Sequence, residues 1–516
     1  MKLSLVTSLL SLTVAATLSA AVRLPQLISE HAVLQRDKPV TIWGWADPNE
    51  AVKVEFNGQS ASTTAGADGA WRVELKPMAA AAGSELVVTG TNTLKVADVA
   101  VGEVWICSGQ SNMQWTLSNT RDGDLDALAA ADPDLRVIRV DDIGTQTANT
   151  DVDAEWKPSN WDAARSFTAV GYYFGKQLRD TLGVPVGLID NSWGGSACEA
   201  WVPNGDLADN PLYEALVQRW KDEVAKADEP ALRKEYDAKL AEWRAERAKA
   251  KAAGQPLPGR PWNEHPLFGN QRPANLYQAR VAPLLNYGIR GAIWYQGESN
   301  AGRAFQYRDL FPRMISAWRR DFKQGDFPFL WVQLADFKPE AAAPGESDWA
   351  ELREAQTMTL DKIPNVGQAV IIDIGEAHDI HPHNKLDVGR RLARLALART
   401  YGHDKLPATS PRFDKVEFAD GKAVISFKEV SSKLATDDGV APKGFVISGE
   451  ERTWRPATAK LLEDGRIEVS APDVPQPVAV RYGWADNPVV NVRTENWLPL
   501  TPFRTDDWPG VTDAAR

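Results

Sequence analysis

Two cysteines in 516 residues cannot build a disulfide-rich scaffold or a multi-cysteine zinc or iron–sulfur centre. No basic run stands out, and Lys+Arg 58 against Asp+Glu 69 gives a formal net charge of −11. That balance offers no electrostatic footprint for nucleic acid. Past the N-terminal stretch no segment is apolar for long enough, about 18 residues, to make a membrane-spanning helix. Methionine is scarce at 5, whereas tryptophan stands at 20 against 10 tyrosines and 15 phenylalanines. Large flat aromatic faces suit a carbohydrate ligand, and they suit the buried core of a β-domain equally well. With 43% hydrophobic and 25% charged residues the composition is that of a globular protein, and the length predicts about three domains.

Residues 1–21 read as a leader. Lys2 is the short positive region, residues 3–18 are apolar with Ser and Thr interspersed, and Ser19-Ala20-Ala21 offers a small-x-small cleavage site. The mature chain is expected to begin near Val22 and to be exported, to the periplasm or out of the cell. In such an oxidising compartment Cys107 and Cys198 are open to pairing, or to remaining two buried thiols.

From 22 to 100 the pattern is β. Val40–Trp45, Ala51–Phe56, Ala70–Leu75 and Glu85–Thr89 are short alternating or β-branched runs separated by turn signals such as Asn57-Gly58 and Asp68-Gly69, which predicts a small sandwich. From 101 to 405 the runs become continuously apolar: Val104–Cys107, Val186–Asp190, Gly291–Tyr295, Phe329–Leu334 and Ala369–Asp373. Strands of that kind are buried on both faces. Helical patterns over Ser166–Leu182, Pro312–Phe322, Glu351–Lys362 and Asn384–Thr400 lie between or after them, which predicts a parallel, doubly wound sheet. An Ala/Glu/Lys/Arg-rich insertion at about 206–262 carries one apolar stripe, Leu232, Tyr236, Leu240 and Trp243, and reads as a surface helical hairpin. From 406 to 516 the β pattern returns as a second module.

Ligands of doubly wound sheets bind beyond the carboxyl ends of the strands, and the unusual residues of this chain fall there. Gly109-Gln-Ser-Asn-Met113 follows the strand that ends at Cys107, so Ser111 sits where a hydroxyl can be presented and where backbone N–H groups can face an oxyanion. Asn191–Ser196, with adjacent glycines, follows a second strand, and Gln296–Asn300 follows a third. Glu376–His383 holds three of the six histidines. His378, His381 and His383 are candidate metal ligands, but no acidic or cysteine cluster completes a site. A histidine close after an aspartate on the loop beyond a last parallel strand suits a general base oriented by a carboxylate. No metal or other cofactor is expected.

Cys107–Trp115, Gly194-Gly-Ser196, Trp294–Asn300 and Asp379-Ile-His-Pro382 together resemble the sialate O-acetylesterase family of the SGNH-hydrolase superfamily. The resemblance spans most of the mature chain. It implies a three-layer α/β/α (flavodoxin-like) hydrolase domain flanked by β-sandwich modules, and metal-free removal of O-acetyl groups from sugars through an acyl-enzyme. By the motifs, Ser111 is the nucleophile and His381 the base. The oxyanion donors are the N–H of Ser111, the N–H of Gly195 (or Gly194) and the side-chain amide of Gln296. The D-x-H spacing of this chain, where the superfamily often has D-x-x-H, leaves the acid as Asp379, Asp373 or a backbone carbonyl, with Asp379 preferred. Glu298, Asn300 and Arg303 are candidate substrate-binding residues, Arg303 as a partner for a sialate carboxylate. The rival classes are a non-catalytic carbohydrate-binding protein and an esterase for lipid or thioester substrates.

Overall fold

The computed structural model describes residues 21–208, 210–256, 258–261 and 265–515. The expected leader lies outside them except for its last residue. The molecule is mixed α/β, built on a large mixed sheet with further sheets at its ends. Among the described residues no helix is long and apolar enough to cross a membrane.

Seven strands form the body of the sheet: β1 (Thr93–Gly109), β2 (Asp132–Arg139), β3 (Lys157–Ser159), β4 (Val186–Asp190), β5 (Gly291–Tyr295), β6 (Phe329–Val332) and β7 (Val366–Ala369). Their order across the sheet is β7-β6-β5-β1-β4-β2-β3, and only the β2–β3 pair is antiparallel. The chain therefore winds outwards from β1 in one direction, returns, and winds outwards in the other. β4, β5 and β6 are buried at every position, as continuously apolar runs require.

Along β1 the two faces alternate between two cores. Val104 and Ile106 join one apolar cluster with Trp294 and Trp318, while Trp105 and Cys107 join another with Tyr172 and Leu392. Trp105, Trp156, Trp201, Trp294, Trp318 and Trp331 are all fully buried. Much of the tryptophan excess is therefore core packing.

β1 changes role midway. Its first half is alternately exposed and pairs antiparallel with Ala81–Thr89, which in turn pairs with Ala51–Phe56. Its second half is wholly buried between β4 and β5. One strand thus runs unbroken from the N-terminal β region into the central sheet. At the other end of the chain, two four-stranded antiparallel sheets share a core of Ile425, Ile447, Ile467, Val480, Tyr482 and Phe503.

The helices that cover the sheet are α2 (Ala169–Leu182), α3 (Ala304–Phe322), α4 (Asp348–Met358) and α5 (Lys385–Thr400). Thr168, Ser347 and Asn384 cap α2, α4 and α5 with their side-chain oxygens. Three expectations need correction. α3 does not start at Pro312 but carries it internally. The carbonyl that Pro312 cannot serve, that of Arg308, instead accepts a hydrogen bond from Lys362 Nζ at 2.5 Å. The run Ala369–Asp373 is strand only at its first residue; Val370–Ile372 is buried but lies past the last ladder, on the way to the loop that returns over the sheet. β2 is an additional strand, which its Asp132-Pro-Asp134 start disguises as a turn in the sequence.

The insertion forms two helices, Glu214–Ala225 and Glu229–Ala252, and the stripe of Tyr236, Leu240 and Trp243 is its buried face. Tyr236 and Trp243 donate hydrogen bonds to the carbonyls of Pro261 and Pro258 in the returning segment.

Candidate active site

β4, β1 and β5 lie side by side, with Asp190 level with Cys107 and Tyr295 level with Gly109. The three loops that follow them therefore emerge together at one edge of the sheet. Gly109 makes the turn. Its φ is +135°, and a Cβ there would sit 2.1 Å from the Tyr295 carbonyl oxygen, so a side chain is excluded. Gln110 N–H donates to that same carbonyl at 2.9 Å, and a single helical turn, α1 (Ser111–Gln114), begins at once. The fourth loop comes from β7 at the far end of the sheet and crosses back to β1.

That crossing brings His381 to Ser111. Nε2 of His381 lies 2.9 Å from Ser111 Oγ, and Nδ1 lies 3.5 Å from Asp379 Oδ1. The same Oδ1 accepts the His381 backbone N–H at 2.8 Å, which anchors the ring's own residue to the carboxylate. Trp115 stacks on the imidazole, with ring centroids 4.7 Å apart and planes 15° from parallel. Burial, and then the Lys385 ammonium, hold His381 below the usual imidazole range, against the pull of Asp379. The charged form of the ring is thus disfavoured, and the ring has a hydroxyl at one nitrogen and a carboxylate near the other. Asp379 is the one group named here whose charge favours an imidazolium on His381.

Two backbone donors on the loops that meet here have no acceptor among the described residues. Ser111 N–H opens α1, where no helical carbonyl is available to it. Gly195 N–H has no acceptor among the described residues, and its φ of +70° is one that other residues adopt only at a cost. Gly194 N–H is already given to Gln114 Oε1 at 2.8 Å, which favours Gly195 of the two glycines.

Gln296 is placed differently from expectation. Its Nε2 donates to Ser196 O and to Asn300 Oδ1 (3.2 and 2.7 Å), and its Oε1 accepts from the Tyr307 hydroxyl. The side chain is fully buried and both ends of its amide are committed. Asn300 and Arg303 continue the same ladder. Asn300 Nδ2 donates to Glu199 at 2.9 Å, and Arg303 pairs with the other Glu199 oxygen at 2.6 Å. These residues tie the loops to one another, and no hydrogen bond joins them to the Ser111 hydroxyl among the described residues. Glu298 lies beneath the nucleophile, where its Oε1 accepts from Asn112 Nδ2 at 2.6 Å.

Asp373 is clamped bidentately by Arg391 (both contacts 2.6 Å), and no contact joins it to His381 among the described residues. His378 is exposed, and His383 pairs through Nδ1 with Glu376. Among the described residues no three His, Cys, Asp or Glu side chains are grouped to hold a metal ion. Cys107 and Cys198 do not pair: both are buried and free, and they belong to the clusters on opposite faces of the sheet. The alternation along β1 turns Cys107 away from Ile106's side, where Cys198 packs.

Trp115, Gln114 and Lys385 gave no functional signal in the sequence. Trp115 and Gln114 lie within the first motif and differ from core residues only by where α1 aims them. Lys385 reads as an ordinary first-turn residue.

A family model described as carbohydrate esterase, sialic acid-specific acetylesterase, matches residues 101–233 and 260–398. Sialate O-acetylesterase of Mus musculus is 28% identical over 93% of this chain and 94% of its own length. The Homo sapiens sialate O-acetylesterase is also 28% identical, over 95% and 94%. Among solved structures, a carbohydrate acetylesterase from Xanthomonas citri superposes with a TM-score of 0.80 at 39% identity, covering 95% of this chain and 100% of that one.

Proposed function

The chain belongs to the family of carbohydrate esterases that includes the sialic acid-specific acetylesterases, and we propose that it removes acetyl groups through a Ser111 acyl-enzyme. As a carbohydrate O-acetylesterase it cleaves carboxylic esters. In the proposed cycle His381 Nε2 takes the Ser111 proton as Oγ attacks the acetyl carbonyl. The oxyanion is received by the N–H groups of Ser111 and Gly195. His381 then passes the proton to the departing sugar hydroxyl, acetyl-Ser111 forms, and water repeats the sequence to release acetate. The 2.9 Å contact between Ser111 Oγ and His381 Nε2 is the observation that carries this reading. The doubly wound sheet, with its loops converging at the ends of three adjacent strands, supports the three-layer SGNH-type architecture. Export with a leader over 1–21 is part of the same proposal.

The substrate is an acetylated sugar, sialic acid or a plant-type glycan. The pairing of Arg303 with Glu199 argues against it as the receptor for a sialate carboxylate. Incubating the enzyme with acetylated sialosides, xylans, xyloglucan and pectin and measuring acetate release tests the function. Acetate from at least one glycan is expected, and none from any, with no turnover of aryl acetates, would reject it. Turnover of long-chain aryl esters as fast as acetates would favour the lipid-esterase class instead.

Two further outcomes are expected. Asp379→Asn keeps a hydrogen-bonding side chain but removes the charge that steadies the imidazolium, so kcat should fall about 100-fold. A fall below about tenfold, roughly 1.4 kcal/mol, would mean that Asp379 is not the acid. The pH profile follows from His381. The base works only when neutral, and its affinity for protons is reduced by burial and by Lys385. kcat/KM should therefore hold to a pH below the ordinary imidazole value of about 6.5 before it drops. An acid limb above that value would contradict the assignment.

A further inference from the structure

Beneath Ser111 and His381 lies a buried polar assembly that the reaction cycle leaves without a task. Asn112, next to the nucleophile, uses every part of its amide. Nδ2 donates to Glu298 Oε1 at 2.6 Å and to the Ile380 carbonyl at 2.9 Å, and Oδ1 accepts from Lys385 Nζ at 2.5 Å. Ile380 immediately precedes His381. Lys385 is fully buried, and its backbone N–H donates to the His383 carbonyl at 3.0 Å. We infer that Asn112, Glu298 and Lys385 form a tie that fixes the nucleophile's turn against the base's loop, with Lys385 a positioning residue for the Ser111–His381 pair. This rests on the reading of that pair as nucleophile and base.

The cost of the arrangement argues that it is there for a purpose. Lys385 is the first residue of α5, where the helix dipole opposes a cation, and its ammonium is enclosed by protein, 5.3 Å from the centre of the Tyr295 ring. Glu298 Oε2 is buried and has no partner among the described residues. Burial pushes the Glu298 carboxyl above the usual carboxylate range, and the two groups do not touch. The Asn112 carboxamide stands between them, its N–H end toward the carboxylate and its oxygen toward the ammonium, so both charges polarise it in the same sense. An amide held this way has one orientation, and it is the one that puts an N–H on the Ile380 carbonyl. The glutamate, amide and lysine come from the loops after β5 and β1 and from the start of α5, so the tie joins three separate segments of the site.

The charges reach the base as well. Around Lys385 lie Glu298, Asp379 and Glu376, and around His381 lie Lys385, Asp379 and His383. Burial brings Lys385 down to about 7, and its charged form discourages a second cation on His381. Losing the lysine should make His381 easier to protonate.

The experiment compares Lys385→Met, Glu298→Gln and the double variant on an aryl acetate, with kcat, KM, the acid limb of kcat/KM and Tm as readouts. Lys385→Met should lower kcat about 100-fold with little change in KM, as loss of alignment does, and should move the acid limb to higher pH. Its Tm should fall, because Glu298 is left buried without its counter-charge. In the double variant no unpaired charge remains, so Tm should recover while kcat and the acid limb stay displaced. The double variant carries the test if the single one does not fold. Recovery of kcat together with Tm would reduce Lys385 to a structural residue, and an unchanged kcat and acid limb in Lys385→Met would overturn the tie. Ser111→Ala separates the two levels: if that variant still turns over, the catalytic pair itself is misassigned, whereas an inactive Ser111→Ala beside a fully active Lys385→Met rejects the tie alone.

Discussion

Replacing Ser111 by alanine should cut acetate release by at least about four orders of magnitude while leaving the fold untouched. The loss is large because the Ser111 hydroxyl is the group that His381 Nε2 touches, and the substitution removes it. The fold should persist because that hydroxyl makes no other hydrogen bond among the described residues, and alanine is a better helix former than serine at the start of α1. Some turnover above the uncatalysed rate should remain. The Ser111 and Gly195 N–H groups are backbone and survive the substitution, so water attack can still be assisted at the oxyanion. Acetate release and a thermal melt on the same preparation decide the matter. A well-folded variant within tenfold of the wild type would end the serine mechanism.

His381→Ala should be as damaging, and the three histidines of the loop should separate cleanly. His378 is exposed, so His378→Ala should change kcat by less than about threefold. His383 pairs with Glu376 and meets Trp115 edge-on, with centroids 6.0 Å apart, so His383→Ala should loosen the loop and cost roughly tenfold at most. Of the three, His381 is the one hydrogen-bonded to Ser111 Oγ among the described residues. Because Ser111 and His381 act as one unit, the double variant Ser111→Ala/His381→Ala should be no slower than either single variant. Losses that multiplied would mean that the two residues contribute independently, and a larger loss in His378→Ala or His383→Ala than in His381→Ala would relocate the base.

The Ser111–His381 contact was within reach of the sequence because both residues stand in local motifs. A serine directly after a strand-end Gly-Gln, and a histidine two residues past an aspartate, each lie on a short loop that follows an apolar run, although the run before the histidine, Val370–Ile372, lies past the ladder of its strand. The same physics marks β4, β5 and most of β6. What stayed hidden is non-local. Nothing near Gln296 or Arg303 in the chain tells that Glu199 will stand between Asn300 and Arg303 and draw their side chains inwards. Pro312 looks like a helix start because the rescue of the Arg308 carbonyl by Lys362 comes from another element. The cysteines sit at similar distances from two active-site loops, yet β-strand alternation sends one to each face. Lys385 is the sharpest case: a lysine in a helix's first turn is ordinarily solvated, and only the assembled loops bury it.

β1 also bears on how the molecule comes to be folded. Its antiparallel half is paired with Ala81–Thr89, the segment made just before it, and is available to form as soon as both have left the ribosome. Its other half, the one that ends in the nucleophile's turn, is flanked by β4 and β5, which are synthesised much later. Between those moments Val104–Cys107 is an apolar strand with two open edges. Such a strand is the kind that pairs with the wrong chain when folding stalls. The segment that delivers Ser111 is thus anchored early at one end and left unsealed at the other until β4 and β5 arrive.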